Sequence, residues 1–363
     1  FILFREIMRN KFKGEYSGTK EVSQRHKIDK EKLQKYLEQS IDDFSKISSI
    51  EEFIGGQSNP TYLIKTSGES YVLRRKPPGK LLKSAHAVDR EYKVITALGK
   101  TNVPVPETYC FCEDDDIIGT QFFLMDHVDG NIFWELLLPN ADKKQRREIY
   151  SSMNDTIAKL HNVDFKSIGL SDYGKHENYM DRQIHRWSKQ YKDSETQKIP
   201  EIDNLIEWLP LNIPKDNETS IVHGDFRLDN MIFNKDTNHV VAILDWELST
   251  LGNPIADFTY HMMSWRLPVG AKGLGMMGSD LKELNIPSEN EYAEMYYKKT
   301  GRSRVENWDF YMAYNIFRLA GIAQGIVGRV RDGTAASSEA KNYASFVPIL
   351  GKLGWNIVEE NNK

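Results

Sequence analysis

The feature that most restricts the fold of this chain is the segment HGDFRLDN at residues 223–230, which is followed by Asp245 at the end of an apolar run. Between them lie MIFN, the turn-rich KDTNH and the apolar VVAILDW, and this pattern predicts a β-hairpin. In an antiparallel hairpin, the start of the first strand lies beside the end of the second. We therefore expect Asn230 and Asp245 to meet at the open end of the hairpin, with Asp225 on the loop that leads into it.

These side chains carry the oxygen donors that a magnesium ion prefers. One carboxylate and one carboxamide, supplemented by water, suit Mg²⁺, which takes few protein ligands and shares its coordination shell with phosphates. A further carboxylate nearby can accept the proton of a hydroxyl group. The alternative is that Asp225, Asp229 and Asn230 only form capping turns.

The spacing of the segment resembles a catalytic loop. His223, Asp225 and Asn230 have the spacing of the kinase loop H-x-D-x-x-x-x-N, and Asp245 follows where the metal-binding Asp of such kinases comes. In detail, HGDFRLDNMIF together with ILDWELSTLGNPIADFTY is similar to the aminoglycoside phosphotransferase-like kinase family, and especially to its members associated with acyl-CoA dehydrogenases. The resemblance covers about residues 50 to 350.

The local patterns agree with the fold that this resemblance implies. Two β-rich runs at 61–65 and 71–75 flank the hairpin-like TSGES, a helix is predicted near 87–98, and two more apolar runs, TYCFCE and TQFFLMDHV, follow. They predict a sheet of about four or five strands with one main helix, and the chain after Gly130 is mostly helical. We therefore expect an α+β, protein-kinase-like fold with two lobes, the smaller one built on an antiparallel sheet.

The same patterns predict three regions. Residues 1–27 are polar and basic without clear periodicity, so we interpret them as an appendage. Residues 28–128 are expected to form a nucleotide-binding lobe, and residues 129–363 a larger lobe that carries the catalytic and acceptor-binding groups.

A phosphate-covering loop is predicted ahead of the first strand pair. FIGGQSNPTYLI contains Gly55 and Gly56, followed by Ser58 and Asn59. Glycines let backbone N–H groups approach an anion closely. The alternative is that this Gly-Gly pair is only a turn.

A cation and its helix partner are the next elements that a kinase-like lobe needs. Arg74 lies where the kinase pattern V-A-I-K has its Lys, and choline-kinase-like relatives also carry Arg there. Arg75 is the second choice, on the opposite face of the strand. Glu91 lies on the apolar face of its helix, so it needs a cationic partner, and we expect Arg74 to be that partner. Exposed positions for Arg74 and Glu91 are the alternative.

The resemblance implies transfer of the γ-phosphoryl group of ATP to an alcohol. Asp225 would accept or orient the hydroxyl proton, Asn230 and Asp245 would hold Mg²⁺, and Arg74 with Glu91 would position the α- and β-phosphates.

Further roles are implied around these residues. Arg227 would steady the γ-phosphate, His223 would brace the loop, and Asp257 in LGNPIADF would hold the loop by hydrogen bonds. FFLMDHVDG, between the lobes, is interpreted as a strand that leaves the sheet, and Asp126 and Val128 in it would by position bind adenine through their backbone groups.

The acceptor is expected to be an anionic small molecule with a hydroxyl group. Residues 258–352 contain twelve Lys or Arg and nine Asp or Glu, a surplus of three positive charges. The resemblance adds a hydroxyacyl-CoA or a hydroxy acid as the acceptor, with Arg266, Tyr314 and Arg318 as candidate contacts. Solvated helix charges and core aromatics are the alternative interpretation.

Three competing functions stay open. DWE stands where protein kinases have DFG and no A-P-E motif follows, which disfavours protein substrates. A nucleotide-binding pseudokinase with a regulatory role is one rival, and a kinase for aminoglycoside-like or choline-like acceptors is another. The third is a metal-dependent hydrolase that would use His223 and Asp225.

Composition limits the partners. In 363 residues, 48 Lys or Arg and 52 Asp or Glu give a net charge of −4, which disfavours nucleic acid, and no apolar run reaches the roughly 18 residues that span a bilayer. Cys110 and Cys112 are too close to close a useful disulfide loop, which favours a reducing, cytoplasmic location, although a redox or metal pair is the alternative. The sequence starts at Phe1 and not at Met, so a preceding segment stays open. Nothing in the sequence indicates an oligomeric state.

Overall fold

The chain divides into two units. A computed structural model describes residues 18–54, 59–79, 87–215, 218–269, 274–333 and 343–361. Unit 1 consists of the described residues up to Trp134 together with Lys166–Leu170 and Asp229–Ser249. Unit 2 consists of Glu135–Phe165, Ser171–Leu228 and the described residues from Thr250 onward. The boundaries predicted from the sequence stay predictions.

Unit 1 contains a six-stranded antiparallel sheet in the order β1-β2-β3-β4-β6-β5. Its strands are β1 Thr19–Glu21, β2 Ile47–Phe53, β3 Thr61–Thr66, β4 Ser70–Arg75, β5 Thr108–Cys112 and β6 Phe122–Asp126. The strands predicted at 61–65 and 71–75 are confirmed, and so are those in the two later apolar runs. The sheet is larger than predicted because β2 (ISSIEEF) and β1 (TKE) are rich in polar residues, so only their pairing identifies them as strands. Part of the predicted appendage is thus an edge strand.

Helix Lys30–Ser40 packs on this sheet. Asp29 caps it, since the Asp29 carboxylate accepts hydrogen bonds from the backbone N–H groups of Glu31 and Lys32. Leu33 and Leu37 point from the helix into a core that also contains apolar side chains of the sheet, including Tyr62, Ile64, Leu73, Phe122 and Leu124.

Three further elements of unit 1 complete the frame. The main predicted helix is present at Val88–Leu98. The segment DDDIIG between β5 and β6 forms the short helix Asp115–Ile118, and Gly119 ends it in the left-handed conformation at φ 88°. The predicted hairpin is confirmed: Met231–Phe233 pairs antiparallel with Val240–Ile243.

Unit 2 is mainly helical. Its helices are Lys143–His161, Tyr179–Ser194, Pro200–Leu211, Pro254–Met262, Leu281–Leu284, Glu289–Thr300, Trp308–Arg331 and Phe346–Asn361. The 24-residue helix Trp308–Arg331 contacts helices Tyr179–Ser194, Pro254–Met262 and Phe346–Asn361, and most of its residues are buried. Gly328 allows one of these approaches, because a Cβ atom there would lie 2.8 Å from the Cβ atom of Ser194.

A two-stranded antiparallel sheet leads into and out of the predicted catalytic loop. Ser220–Val222 precedes the loop and pairs with Thr250–Gly252, which immediately precedes helix Pro254–Met262. The pairing brings the start of this helix close to the start of the loop. Across the described residues, no helix combines the length and apolar character that a membrane span requires.

Candidate active site

In unit 1, Arg74 is the centre of a buried charge cluster. Its Nε lies 2.8 Å from Oε2 of Glu91, and its Nη2 lies 2.8 Å from Oδ1 of Asp245. Glu247 is a more distant third carboxylate, 3.9 Å from Nη2. Arg74 is 8% exposed and Glu91 1%, so the prediction that Glu91 faces inward and pairs with Arg74 is confirmed.

The strand and helix that carry these residues explain the pairing. Arg74 lies opposite Thr61 of β3 and Phe123 of β6, in the middle of the sheet. Glu91 is in the first turn of helix Val88–Leu98, on the face that also buries Val94, Ile95 and Leu98. A carboxylate on such a face needs charge compensation and hydrogen bonds. Arg74 supplies the charge.

Burial sets the protonation of this cluster. Burial raises the pKa of Glu91 to about 7, and the nearby Arg74 guanidinium opposes that shift. Burial alone would lower the pKa of Arg74, but the carboxylates of Glu91, Asp245 and Glu247 outweigh it, so the pKa of Arg74 is raised. The guanidinium therefore stays charged.

Asn59 belongs to the same cluster. Its side-chain amide donates a hydrogen bond of 2.8 Å to Oε1 of Glu91, and Asn59 is fully buried. The sequence predicted that Asn59 contacts phosphate, and in the structure its side-chain amide contacts Glu91. The other predicted members of the phosphate loop, Gly55, Gly56 and Ser58, lie outside the described residues.

The open end of the hairpin brings Asn230 and Asp245 together, as predicted. Met231 is opposite Ile243, and the backbone N–H of Leu244 donates to the carbonyl of Asn230 at 2.8 Å. Asp245 has left-handed backbone angles, φ 63° and ψ 62°, which few residues other than Gly adopt. Such conformations concentrate at functional sites.

This end of the hairpin fits a magnesium ion. Asn230 and Asp245 offer one carboxamide and one carboxylate, and the side chain of Asp245 is 38% exposed. In the described part of the chain, no cluster of three or more His, Cys, Asp and Glu side chains is arranged to hold a metal. Two protein ligands are enough for Mg²⁺, which commonly takes its remaining ligands from water and phosphate.

In unit 2, Asp257 holds the start of the predicted catalytic loop. Its Oδ2 accepts a hydrogen bond from the backbone N–H of His223, and its Oδ1 accepts one from the N–H of Gly224, both at 2.8 Å. Gly224 has φ 84°, so the turn needs glycine at this position. These are the hydrogen bonds that the resemblance implies for Asp257.

A buried histidine supports Asp257 from behind. Nε2 of His161 lies 3.2 Å from Oδ2 of Asp257, and Nδ1 lies 2.7 Å from the hydroxyl of Tyr296. Burial lowers the pKa of His161, so the ring is neutral at pH 7. The neutral ring donates from Nε2 to Asp257 and accepts from Tyr296 at Nδ1. Burial would raise the pKa of Asp257, but the bonds from His161 and His223 outweigh it and lower that pKa.

His223 lies inside the loop and not at its surface. It is fully buried, its Nδ1 accepts a hydrogen bond from the backbone N–H of Asp225 at 3.2 Å, and its ring packs edge-on against Phe226. Each of these contacts agrees with the bracing role predicted for His223. Arg227 is half-buried two residues beyond Asp225.

Tyr260 is a contact of Asp225 that sequence reasoning missed. Its hydroxyl donates to Oδ1 of Asp225 at 2.7 Å. The guanidinium of Arg318 lies over the Tyr260 ring, 4.3 Å from its centroid, and Nη2 of Arg318 donates to the carbonyl of Gly224 at 2.5 Å. A signal was present: Tyr260 follows Asp257 by three residues on one helix, so both side chains project to the same side.

The candidate acceptor contacts fall in two different places. Arg266 is paired with Glu289 at 2.7 Å and with Asp309 at 2.5 Å, in a cleft of about 360 Å³. Tyr314 and Arg318 are instead neighbours on one turn of helix Trp308–Arg331, and both are buried. Burial raises the pKa of Tyr314 to about 12. The structure thus keeps two of the three candidates together.

The predicted adenine contacts lie at the end of β6, where Asp126 is the last residue of the strand and Val128 follows it by two positions. The carboxylate of Asp126 accepts a hydrogen bond from the hydroxyl of Tyr109 at 2.5 Å, and the backbone N–H of Asp126 donates to the carbonyl of Glu107 at 2.8 Å. Val128 is half-buried. Adenine binding by these residues stays a prediction.

Comparison with known proteins gives a consistent match. The model of the APH phosphotransferase enzyme family matches residues 49–294. Among curated proteins, acyl-CoA dehydrogenase family member 10 of Mus musculus is 41% identical over 93% of this chain. This chain covers 32% of that relative and 44% of the human acyl-CoA dehydrogenase family member 11, so it spans less than half of either length.

Solved structures agree on the fold. A protein of Ralstonia eutropha described as a putative aminoglycoside phosphotransferase is 45% identical, with a TM-score of 0.86, over 92% of this chain and 99% of the other. A thermostable mutant of aminoglycoside phosphotransferase APH(4)-Ia, solved with AMP-PNP and hygromycin B, has a TM-score of 0.58 at 14% identity over 90% of this chain and 98% of the other. The expected protein-kinase-like fold, with a small antiparallel sheet and a mainly helical larger part, is confirmed.

Proposed function

Because the chain belongs to the APH phosphotransferase enzyme family, we propose that it is an ATP- and Mg²⁺-dependent kinase that phosphorylates a hydroxyl group of an anionic small molecule. The observation that carries the kinase chemistry is the position of Arg74 between Glu91 and Asp245. Kinases need a cation that a helix acid orients and an aspartate for the metal, and this one guanidinium contacts both carboxylates.

The proposed reaction assigns a task to each predicted residue. Asp225 orients the acceptor hydroxyl and takes its proton as the acceptor oxygen forms a bond to the γ-phosphorus. The bond from that phosphorus to the β,γ-bridging oxygen breaks, and ADP leaves. Asn230 and Asp245 would hold the metal, which when bound neutralises phosphate charge. Arg227 would steady the phosphoryl group as its charge redistributes.

The buried charge of Arg318 supports an anionic acceptor. Arg318 is 7% exposed, its guanidinium donates a hydrogen bond to the Gly224 carbonyl, and the rings of Tyr260 and Trp187 lie on its faces. Among the described residues, its Nε has no hydrogen-bond partner. A buried cation of this kind is stabilised by an anion. An acceptor carboxylate or phosphate would supply one.

The names of the relatives suggest which anion this is. The curated relatives are named as members of the acyl-CoA dehydrogenase family, so we propose a hydroxyacyl-CoA or the corresponding hydroxy acid as the acceptor. Arg318 and Tyr314 are the proposed acceptor contacts. Arg266 is a weaker candidate, because Glu289 and Asp309 already neutralise its charge. The cytoplasmic location stays a prediction.

ADP release measured over a panel of acceptors tests the proposal. The panel contains hydroxy acids, the same acids as CoA thioesters, choline and an aminoglycoside, each with Mg·ATP. Acceptor-dependent ADP release by the wild type, and its loss in Asp225→Ala, is the expected result. Binding of Mg·ATP with no acceptor-dependent release from any compound would favour the regulatory pseudokinase. Hydrolysis of phosphoesters without nucleotide would favour the hydrolase.

A further inference from the structure

Tyr260 and Arg318 form a support for the carboxylate of Asp225. The Tyr260 hydroxyl donates to Oδ1 of Asp225 at 2.7 Å, and the guanidinium of Arg318 lies 4.3 Å from the centroid of the Tyr260 ring. The same guanidinium donates to the carbonyl of Gly224, the residue directly before Asp225. We propose that Tyr260 is a positioning residue that fixes the orientation of the Asp225 carboxylate, and that Arg318 holds the Tyr260 ring in register with the loop. The proposal rests on the function proposed above.

The chemistry requires such control of a carboxylate. A carboxylate that takes a hydroxyl proton must present an oxygen within hydrogen-bond distance of that proton. The carboxylate plane of Asp turns easily, because its last torsion is broad and roughly two-fold. A hydrogen bond to one oxygen restricts this rotation. When this hydrogen bond is removed, the carboxylate can turn away from the productive orientation, and even a small misplacement can lower the rate by a large factor.

The support is rigid because each of its parts is fixed separately. Tyr260 is 5% exposed and belongs to the short helix Pro254–Met262, which also carries Asp257. Asp257 bonds to the backbone N–H groups of His223 and Gly224, so one helix holds both the backbone of the loop and its carboxylate. Arg318 comes from another helix, Trp308–Arg331, and Trp187 packs on its guanidinium at 5.5 Å.

The protonation of Tyr260 matches the donor role. Burial raises the pKa of its phenol, and the charge of Asp225 raises it further. The hydroxyl therefore keeps its proton at neutral pH and donates a charge-assisted hydrogen bond to the carboxylate.

The substitution Tyr260→Phe removes only the hydroxyl group and leaves the ring for Arg318. A hydrogen bond to a charged group is strong enough that its loss should lower kcat by about 10- to 100-fold. The KM for ATP should stay within about twofold, since the lost bond acts in the transition state and not on nucleotide binding. The matched control is Tyr150→Phe, because the Tyr150 hydroxyl also makes a buried hydrogen bond of 2.7 Å, to the carbonyl of Leu136.

Activity is measured as ADP release with the best acceptor of the panel, and thermal unfolding is recorded for both variants. A fall in kcat confined to Tyr260→Phe supports positioning. An unchanged kcat in Tyr260→Phe, or equal falls in Tyr260→Phe and Tyr150→Phe, would overturn it. In the Asp225→Ala background, Tyr260→Phe should lower the residual rate no further, and a further fall of the same size would show that Tyr260 acts independently of Asp225.

Crystal structures of the wild type and of Tyr260→Phe test the positioning without any activity. The expected result is a single orientation of the Asp225 carboxylate in the wild type, and in the variant either a rotated carboxylate or two alternative orientations. The same single orientation in both would overturn the proposal. If the wild type releases no ADP with any acceptor, the proposed function fails, and these structures alone decide whether Tyr260 positions Asp225.

Discussion

The hydrogen bonds of Asp257 allow a sharp test of how the catalytic loop is held. The carboxylate accepts from the backbone N–H groups of His223 and Gly224, each at 2.8 Å, and from Nε2 of His161 at 3.2 Å. Asp257→Asn keeps the size of the side chain but replaces one acceptor oxygen by an amide donor. One of the two backbone N–H groups then faces a donor. An unsatisfied buried N–H costs about 1 to 3 kcal/mol, and loss of the charge weakens the bonds that remain.

The loss should therefore be about 2 to 4 kcal/mol, and it should be local to the loop. Amide hydrogen exchange measures it directly, since local opening that is easier by about 3 kcal/mol exposes an amide roughly 100-fold more often. We expect faster exchange at His223 and Gly224 and a fall in kcat, because the loop carries Asp225. Unchanged exchange at both amides would refute the reasoning. Asp203→Asn is the control, since Asp203 pairs with Lys198 at 3.3 Å on the surface of the same unit.

Three further predictions concern single side chains. Arg74→Lys should raise the KM for Mg·ATP about tenfold, because a single ammonium cannot hold Glu91 and Asp245 as the guanidinium does; steady-state kinetics measures this, and an unchanged KM would contradict it. Glu91→Ala should lower the free energy of unfolding by about 3 kcal/mol, measured in urea, because it leaves Arg74 buried with fewer partners; a change below about 1 kcal/mol would contradict it. Burial lowers the pKa of His261 to about 4, so between pH 6.5 and 4 the folded state binds fewer protons than the unfolded state. The free energy of unfolding should therefore fall by about 3 kcal/mol on acidification through that window, and it should fall less in His261→Gln; an equal fall in both proteins would contradict this.

The parts of the site that could be predicted are those set by local pattern. The hairpin follows from two short apolar runs around a turn, and its antiparallel pairing alone brings Asn230 to Asp245. Glu91 could be placed inside because helical spacing puts it on the apolar face of its helix. In both cases the position of the side chain is determined by one element or by two elements that a short turn joins.

The parts that could not be predicted depend on pairing between distant segments. Strand β1 has the polar sequence TKE, and only its antiparallel register with β2 makes it part of the sheet. The contact of Tyr260 with Asp225 joins residues 35 positions apart, and that of Arg318 with Gly224 joins residues 94 positions apart. Helical spacing places Tyr260 on the side of its helix that carries Asp257, but it does not identify Asp225 as the partner, so a tyrosine within this apolar helix looks like core packing.

The arginine at position 74 is the main departure from the kinase pattern, and its shape explains how it serves two partners at once. A lysine is a point charge, whereas the guanidinium presents donors in several directions. Here Nε faces Glu91 and Nη2 faces Asp245, both at 2.8 Å, so the fork joins the helix acid and the proposed metal ligand in one buried group. If the proposed function holds, Arg74 takes the place of the usual lysine, and the Arg74→Lys variant above tests whether its two-sided contact matters for Mg·ATP.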